Sequence, residues 1–116
     1  MTKNQLYKLL EDKYSTLPDY PWADDPYAVF RHVHNNKWFV LHMPLSERKL
    51  GIDSDKIVDV INVKTDPMML PDLIKRKGIH RAYHMNKTMW ISIRIGVASS
   101  KDIKDLIDLS YRLTEK

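Results

Sequence analysis

With 116 residues, 43% of them hydrophobic and 29% charged, the chain has the composition of one globular domain and is too short for two ordinary cores. It contains no cysteine, which excludes disulfide frameworks, thiolate zinc sites, iron–sulfur clusters and cysteine nucleophiles. The three glycines, Gly51, Gly78 and Gly96, stand too far apart for a glycine-rich phosphate cradle.

In chain order, Thr2 to Gln5 reads as a capping box, and Leu6, Leu10 and Tyr14 form a helical stripe that stops before Leu17-Pro18. Pro18, Pro21 and Pro26, with Asp24-Asp25, mark 17–26 as an irregular connection. Residues 27–33 alternate and are rich in aromatic and β-branched types, which predicts a strand. The turn is His34-Asn35-Asn36-Lys37, because Asn tolerates positive φ, and 38–43 returns as the second arm of a hairpin. A polar loop is expected over 44–55 and a third strand over 56–64. Asp66-Pro67 starts a helix whose first turn Pro71 loosens, with firm helix over 70–77 and Gly78 as its terminator. Alternation over 88–95 predicts a fourth strand, with Met89, Ile91, Ile93 and Ile95 on one face and Trp90, Ser92 and Arg94 on the other. Ser99 and Asp102 open a last helix with the stripe Ile103, Leu106, Ile107 and Tyr111. The order α-β-β-β-α-β-α implies a single α+β domain over 1–116, an antiparallel sheet with helices packed on one face.

The same alternation assigns the sheet faces. Phe39, Leu41 and Met43, with Ile61 and Val63, should point to the core. Trp38, Val40 and His42, with Asn62 and Lys64, should then point away. Together with Trp90 and Arg94 this gives a half-exposed surface of Trp38, His42, Lys64, Trp90 and Arg94, unless a loop or the proline segment 18–26 covers it.

Charge is unevenly distributed. Residues 1–60 hold 8 basic and 9 acidic side chains, whereas residues 61–116 hold 11 and 6. Between Leu73 and Lys101 there are seven basic residues and no acid. Basic side chains interleaved with aromatics attract polyanions, because Lys and Arg release condensed counterions and rings stack on bases. The candidate nucleic-acid contacts are Lys64, Arg81, Lys87 and Arg94, with Lys75, Arg76 and Lys77 adding long-range attraction and Trp90 stacking or wedging.

The string Tyr83-His84-Met85-Asn86-Lys87-Thr88-Met89-Trp90-Ile91-Ser92, preceded by Lys64-Thr65-Asp66-Pro67 and followed by Ser110-Tyr111, resembles the MmcQ/YjbR family. Val29-Phe30 and Lys37-Trp38-Phe39 are similar to that family's early hairpin. The resemblance covers essentially the whole chain, and its motif residues here are Tyr83, His84, Asn86, Lys87 and Trp90. It implies a CyaY-like fold, related in shape to frataxin, and a proposed double-wing DNA-binding arrangement, but no activity. The chain departs from the pattern at Ala82 and Met89, where the family usually shows Gly and His, and at Asn36, which stands where it tends to have Gly.

Catalytic and metal chemistry find little support. The five histidines include no H-E-x-x-H, and none of the seven serines lies in G-x-S-x-G. Asp102, Asp105 and Asp108 fall beside Lys101 and Lys104 as an ordinary solvated helix face. A hydrolase would need His84 paired with a carboxylate in a pocket. The expectation is therefore a non-enzymatic module without cofactor or metal, monomeric, binding DNA with low sequence specificity. The alternative is an adaptor whose aromatic sheet face takes a protein or small ligand. The longest apolar run is the four residues 38–41, and residues 1–14 mix charges among leucines, so neither a membrane span nor an export signal is expected, and a cytoplasmic location follows.

Overall fold

The computed structural model describes residues 1–116. Helix α1 (Lys3–Tyr14) begins with the Thr2/Gln5 capping box and ends at Ser15, whose left-handed φ of 53° turns the chain away. The five strands are β1 (Ala28–Arg31), β2 (Trp38–Ser46), β3 (Ile57–Lys64), β4 (Ile79–Arg81) and β5 (Trp90–Arg94). They form one antiparallel sheet in the order β1-β2-β3-β5-β4. Helix α2 (Leu70–Leu73) precedes β4, and helix α3 (Ser100–Leu113), capped by Ser99 on the Asp102 N–H, closes the chain. All three helices bury their apolar sides on one face of the sheet, in a core that includes Leu6, Leu10, Phe30, Ile61, Ile93 and Ile107.

Several sequence expectations shift. There are five strands, not four. The added one, β4, is a three-residue edge strand, too short to show any period. Strand β1 is shorter than 27–33, and β5 starts at Trp90 because Asn86 to Met89 turn. Strand β2 runs on through Pro44 to Ser46, where a 3-10 turn (Glu47–Leu50) begins. Proline is tolerated there because β1 pairs no further than His42, which leaves that stretch of β2 at an edge. Helix α2 spans four residues instead of 70–77. Beyond it the Lys75 and Arg76 N–H groups bond the carbonyls three residues back, at Asp72 and Leu73. Gly78 does end this segment, at φ 81°, where an added Cβ would meet the Ala98 nitrogen at 2.6 Å.

The most consequential difference is a β-bulge. Phe30 pairs with Val40 and Arg31 with Trp38, so Phe39 is an extra residue in β2. Phe39 and Val40 both enter the helix-side core, and the alternation beyond them is reversed. Val40 and His42 therefore point inward, contrary to expectation, and Leu41 and Met43 lie on the opposite face. The Ser110 hydroxyl of α3 fills the gap the bulge opens. It donates to the Phe39 carbonyl at 2.7 Å and accepts from the Lys64 N–H at 2.9 Å.

Candidate functional site

Turned away from the helices, Val29, Leu41, Met43, Leu45 and Val60 form a second, smaller apolar cluster. Two segments fold over it. The first is the proline-rich connection, held to β1 by Asp19, which exchanges two backbone hydrogen bonds with Val29 at 2.9 and 2.8 Å and accepts from Arg31 Nε at 3.0 Å. The second is the loop over 82–89, which carries the motif string.

That loop is tied down at each end. Asn62 and Ser92, adjacent on β3 and β5, are fully buried beneath it. Asn62 Nδ2 donates to the Tyr83 carbonyl at 2.8 Å, Ser92 Oγ donates to Asn62 Oδ1 at 2.5 Å, and the Tyr83 N–H donates to Ser92 Oγ at 2.9 Å. His84 adopts φ 62°, and Asn86 Oδ1 accepts from the Thr88 N–H and hydroxyl at 2.9 and 2.7 Å. Lys87 reaches back to the Ala82 carbonyl at 2.7 Å. The motif residues thus first of all build a hydrogen-bonded loop.

On one side of this loop lies a cavity of about 520 Å³. Its walls include Trp22, Tyr27 and Trp38, with Leu41, Met43 and Met85 as an apolar lining. Trp22 stands edge-to-face against Tyr27 (centroids 6.1 Å apart, planes at 75°) and against Trp38 (5.6 Å, 86°). Asp25, His84 and Asn86 supply the polar groups. Burial, and next the Asp25 carboxylate, push the Tyr27 hydroxyl pKa up. His84 and Asp25 share the cavity without a hydrogen bond between them, and His84 is exposed. The proline segment does cover Trp38, which is half-buried, as is Trp90.

On the other side runs a groove of about 380 Å³ along the β4 edge, with Leu50, Ile74 and Ile79 as its floor and Lys49, Arg81 and Lys87 along it. None of these three cations has a carboxylate within 4.0 Å, and neither have Lys75 and Lys77, exposed in the turn leading into β4.

The remaining sequence candidates separate. Lys64 and Trp90 face each other across β3 and β5, both half-buried. Arg76 pairs with Asp102 at 2.9 Å. Arg94 is taken up inside the protein. Its Nη1 donates to Glu47 Oε2 at 2.8 Å and its Nε to His80 Nε2 at 2.9 Å, with side chains only 17% (Arg94) and 12% (Glu47) exposed. The Ser54 hydroxyl, then the Arg94 guanidinium, hold the Glu47 carboxyl below the usual carboxylate range. Burial, then Arg94, push the His80 pKa down. Arg94 is thus an ion-pair partner whose charge is already matched within the protein. His42, expected on the outer surface, is buried against α1. The Tyr7 hydroxyl is 2.8 Å from its Nδ1, and its Nε2 is 2.9 Å from Asp59 Oδ1. Sequence reasoning missed Trp22, Asp25, Tyr27 and Lys49 as site residues. Only Trp22 within the proline segment and Tyr27 beside it offered a hint, as aromatics, and nothing marked Asp25 or Lys49.

No group of three or more His, Cys, Asp or Glu side chains could hold a metal ion, and no helix is long and apolar enough to cross a membrane. The chain is similar over nearly its full length to proteins of known structure. A crystal structure of a Pseudomonas syringae protein superposes with a TM-score of 0.95 at 44% identity, covering 98% of this chain and 99% of that one. Deinococcus radiodurans protein DR2400, whose domain is described as DUF419, shares the fold at a TM-score of 0.74 and 21% identity, over 99% of this chain and 79% of its own. The uncharacterised Bacillus subtilis (strain 168) protein YyaQ is 38% identical across 99% of both chains. The YjbR family model matches residues 11–113, so the chain belongs to the YjbR family.

Proposed function

We propose that the protein is a non-enzymatic, cytoplasmic DNA-binding module, acting as a monomer and with low sequence specificity, whose contact surface is the β4 edge. The observation that carries this is the convergence of Lys49, Arg81 and Lys87 on one groove with no carboxylate opposing them. Lys75 and Lys77, exposed just before β4, add long-range attraction to that of the three cations that line the groove. The expected contacts are to phosphates. Arg76 and Arg94 leave the contact set because Asp102 and Glu47 already match their charges. Lys64 and Trp90, half-buried on β3 and β5, could meet a polyanion only at the margin.

Binding of labelled duplex at several salt concentrations tests the proposal. Three to five phosphate contacts give a log–log slope of about −2.7 to −4.5. Replacing Lys49, Arg81 and Lys87 with Gln should flatten that slope by about 2.7. Arg94→Met should leave the slope unchanged while lowering stability. Absent binding at micromolar protein, or a slope indifferent to the triple variant, refutes the proposal.

A role for the aromatic face in holding a small ligand is favoured by a different observation, the cavity walled by Trp22, Tyr27 and Trp38. Its volume lies within the range of small-molecule sites.

A further inference from the structure

The walls of the aromatic cavity meet nearly at right angles, Trp22 to Trp38 at 86° and Trp22 to Tyr27 at 75°. A slot for a planar ring needs parallel walls about one ring thickness apart. Perpendicular walls instead make a corner, which suits a compact rounded group that touches more than one ring at once. The faces of such rings carry negative quadrupole potential, and so favour a cation. The electrostatics of the lining point the same way. Asp25 supplies a carboxylate at the cavity and forms no salt bridge, while no lysine or arginine lines it. Met43 and Met85 add polarisable surface that adapts to methyl groups. Trp38 already carries a cation: the Arg31 guanidinium, outside the cavity lining, lies 5.4 Å from the ring centroid.

From this geometry we infer that the cavity binds a small quaternary ammonium compound, its methylated nitrogen seated among Trp22, Tyr27 and Trp38 and its charge facing Asp25. This rests on the small-ligand role of the aromatic face and names the chemistry of that ligand. The volume of about 520 Å³ accommodates a choline-sized molecule with room for a polar tail near Asn86 and His84. The loop wall is anchored at Tyr83, next to His84, Met85 and Asn86, by the Asn62–Ser92–Tyr83 hydrogen bonds, which reduces the ordering that binding must supply.

Tryptophan fluorescence and calorimetric titration with choline, against its uncharged isostere in which a tert-butyl carbon replaces the nitrogen, test the inference. Choline should bind about tenfold more tightly than the isostere, the size expected for a cation over several ring faces. Asp25→Asn and Trp22→Leu should each weaken choline severalfold. Both residues are exposed and lie outside the cores, so unchanged urea midpoints should confirm that the fold is kept. Equal affinity for choline and isostere overturns the cation assignment while leaving a small-ligand role standing. No saturable binding of either at roughly 10 mM overturns both. Choline binding indifferent to the two variants places the ligand elsewhere and also overturns the inference.

Discussion

Asn62→Ala is the sharpest test of how the fold holds the site. Asn62 is fully buried and makes two hydrogen bonds, one donated to the Tyr83 carbonyl and one accepted from Ser92 Oγ. Alanine removes both and leaves the Tyr83 carbonyl and the Ser92 hydroxyl proton without partners. A buried orphan group costs about 1–3 kcal/mol, and the hydroxyl recovers part of its share by rotating, so the sum is about 2–4 kcal/mol. With a urea m-value of roughly 1.5 kcal/mol/M for a domain of this size, the unfolding midpoint should fall by about 2 M. Equilibrium urea unfolding followed by tryptophan fluorescence measures this directly. A double-mutant cycle with Ser92→Ala should show sub-additivity of at least about 0.5 kcal/mol, because Ser92 no longer presents an orphan once it too is gone. A loss below about 0.5 kcal/mol for Asn62→Ala, or strict additivity, would refute the view that this pair anchors the loop. The loop forms one wall of each cavity, so the variant should also weaken ligands on either side of it at temperatures where it stays folded.

Three further outcomes follow from the same reasoning. Ser110→Ala leaves the Phe39 carbonyl and the Lys64 N–H unpaired at the bulge and should cost about 2–4 kcal/mol by urea unfolding. Gly78→Ala places a methyl 2.6 Å from the Ala98 nitrogen at a left-handed φ of 81°, so it should destabilise by about 2 kcal/mol or more, whereas Gly96→Ala, which meets nothing within 4 Å, should be nearly neutral. Burial pushes the pKa values of His32, His42 and His80 down, with His34 adding to the effect at His32 and Arg94 at His80. The unfolded chain therefore binds more protons than the folded one just below the ordinary imidazole pKa of about 6.5. Stability should be full above that pH and fall as the pH drops toward about 5, with a smaller fall in His42→Asn. A urea midpoint that holds or rises between those values would contradict this.

The features that were legible in the sequence depend on neighbours within a few residues. The Thr2/Gln5 capping box, the Ser99 cap and the positive φ at Asn36 are set by side chains acting on their own turn. The faces of β3 and β5 follow from uninterrupted alternation, and Ile61, Val63, Ile91 and Ile93 are buried on the helix side as that pattern requires. Family membership was likewise readable, because the string Tyr83 to Trp90 is contiguous.

What the sequence left open depends on groups far apart along the chain. The bulge at Phe39 is fixed by cross-strand register and by a serine 71 residues away, so alternation within β2 alone assigns Val40, Leu41, His42 and Met43 to the wrong faces. Strand β4 is too short to carry a period, and i−3 bonding at Lys75 and Arg76 limits α2 to four residues. Local charge counting made Arg94 a phosphate contact, but Glu47, 47 residues earlier, claims it. The aromatic cavity exists only because the bridge from Asp19 to Val29 brings Trp22 over Trp38. Composition and local pattern thus determined one basic α+β domain of this family. Only tertiary packing decided which charges stay unmatched and which aromatic rings close into a site, because matching a charge or walling a cavity needs partners that the backbone brings together from a distance.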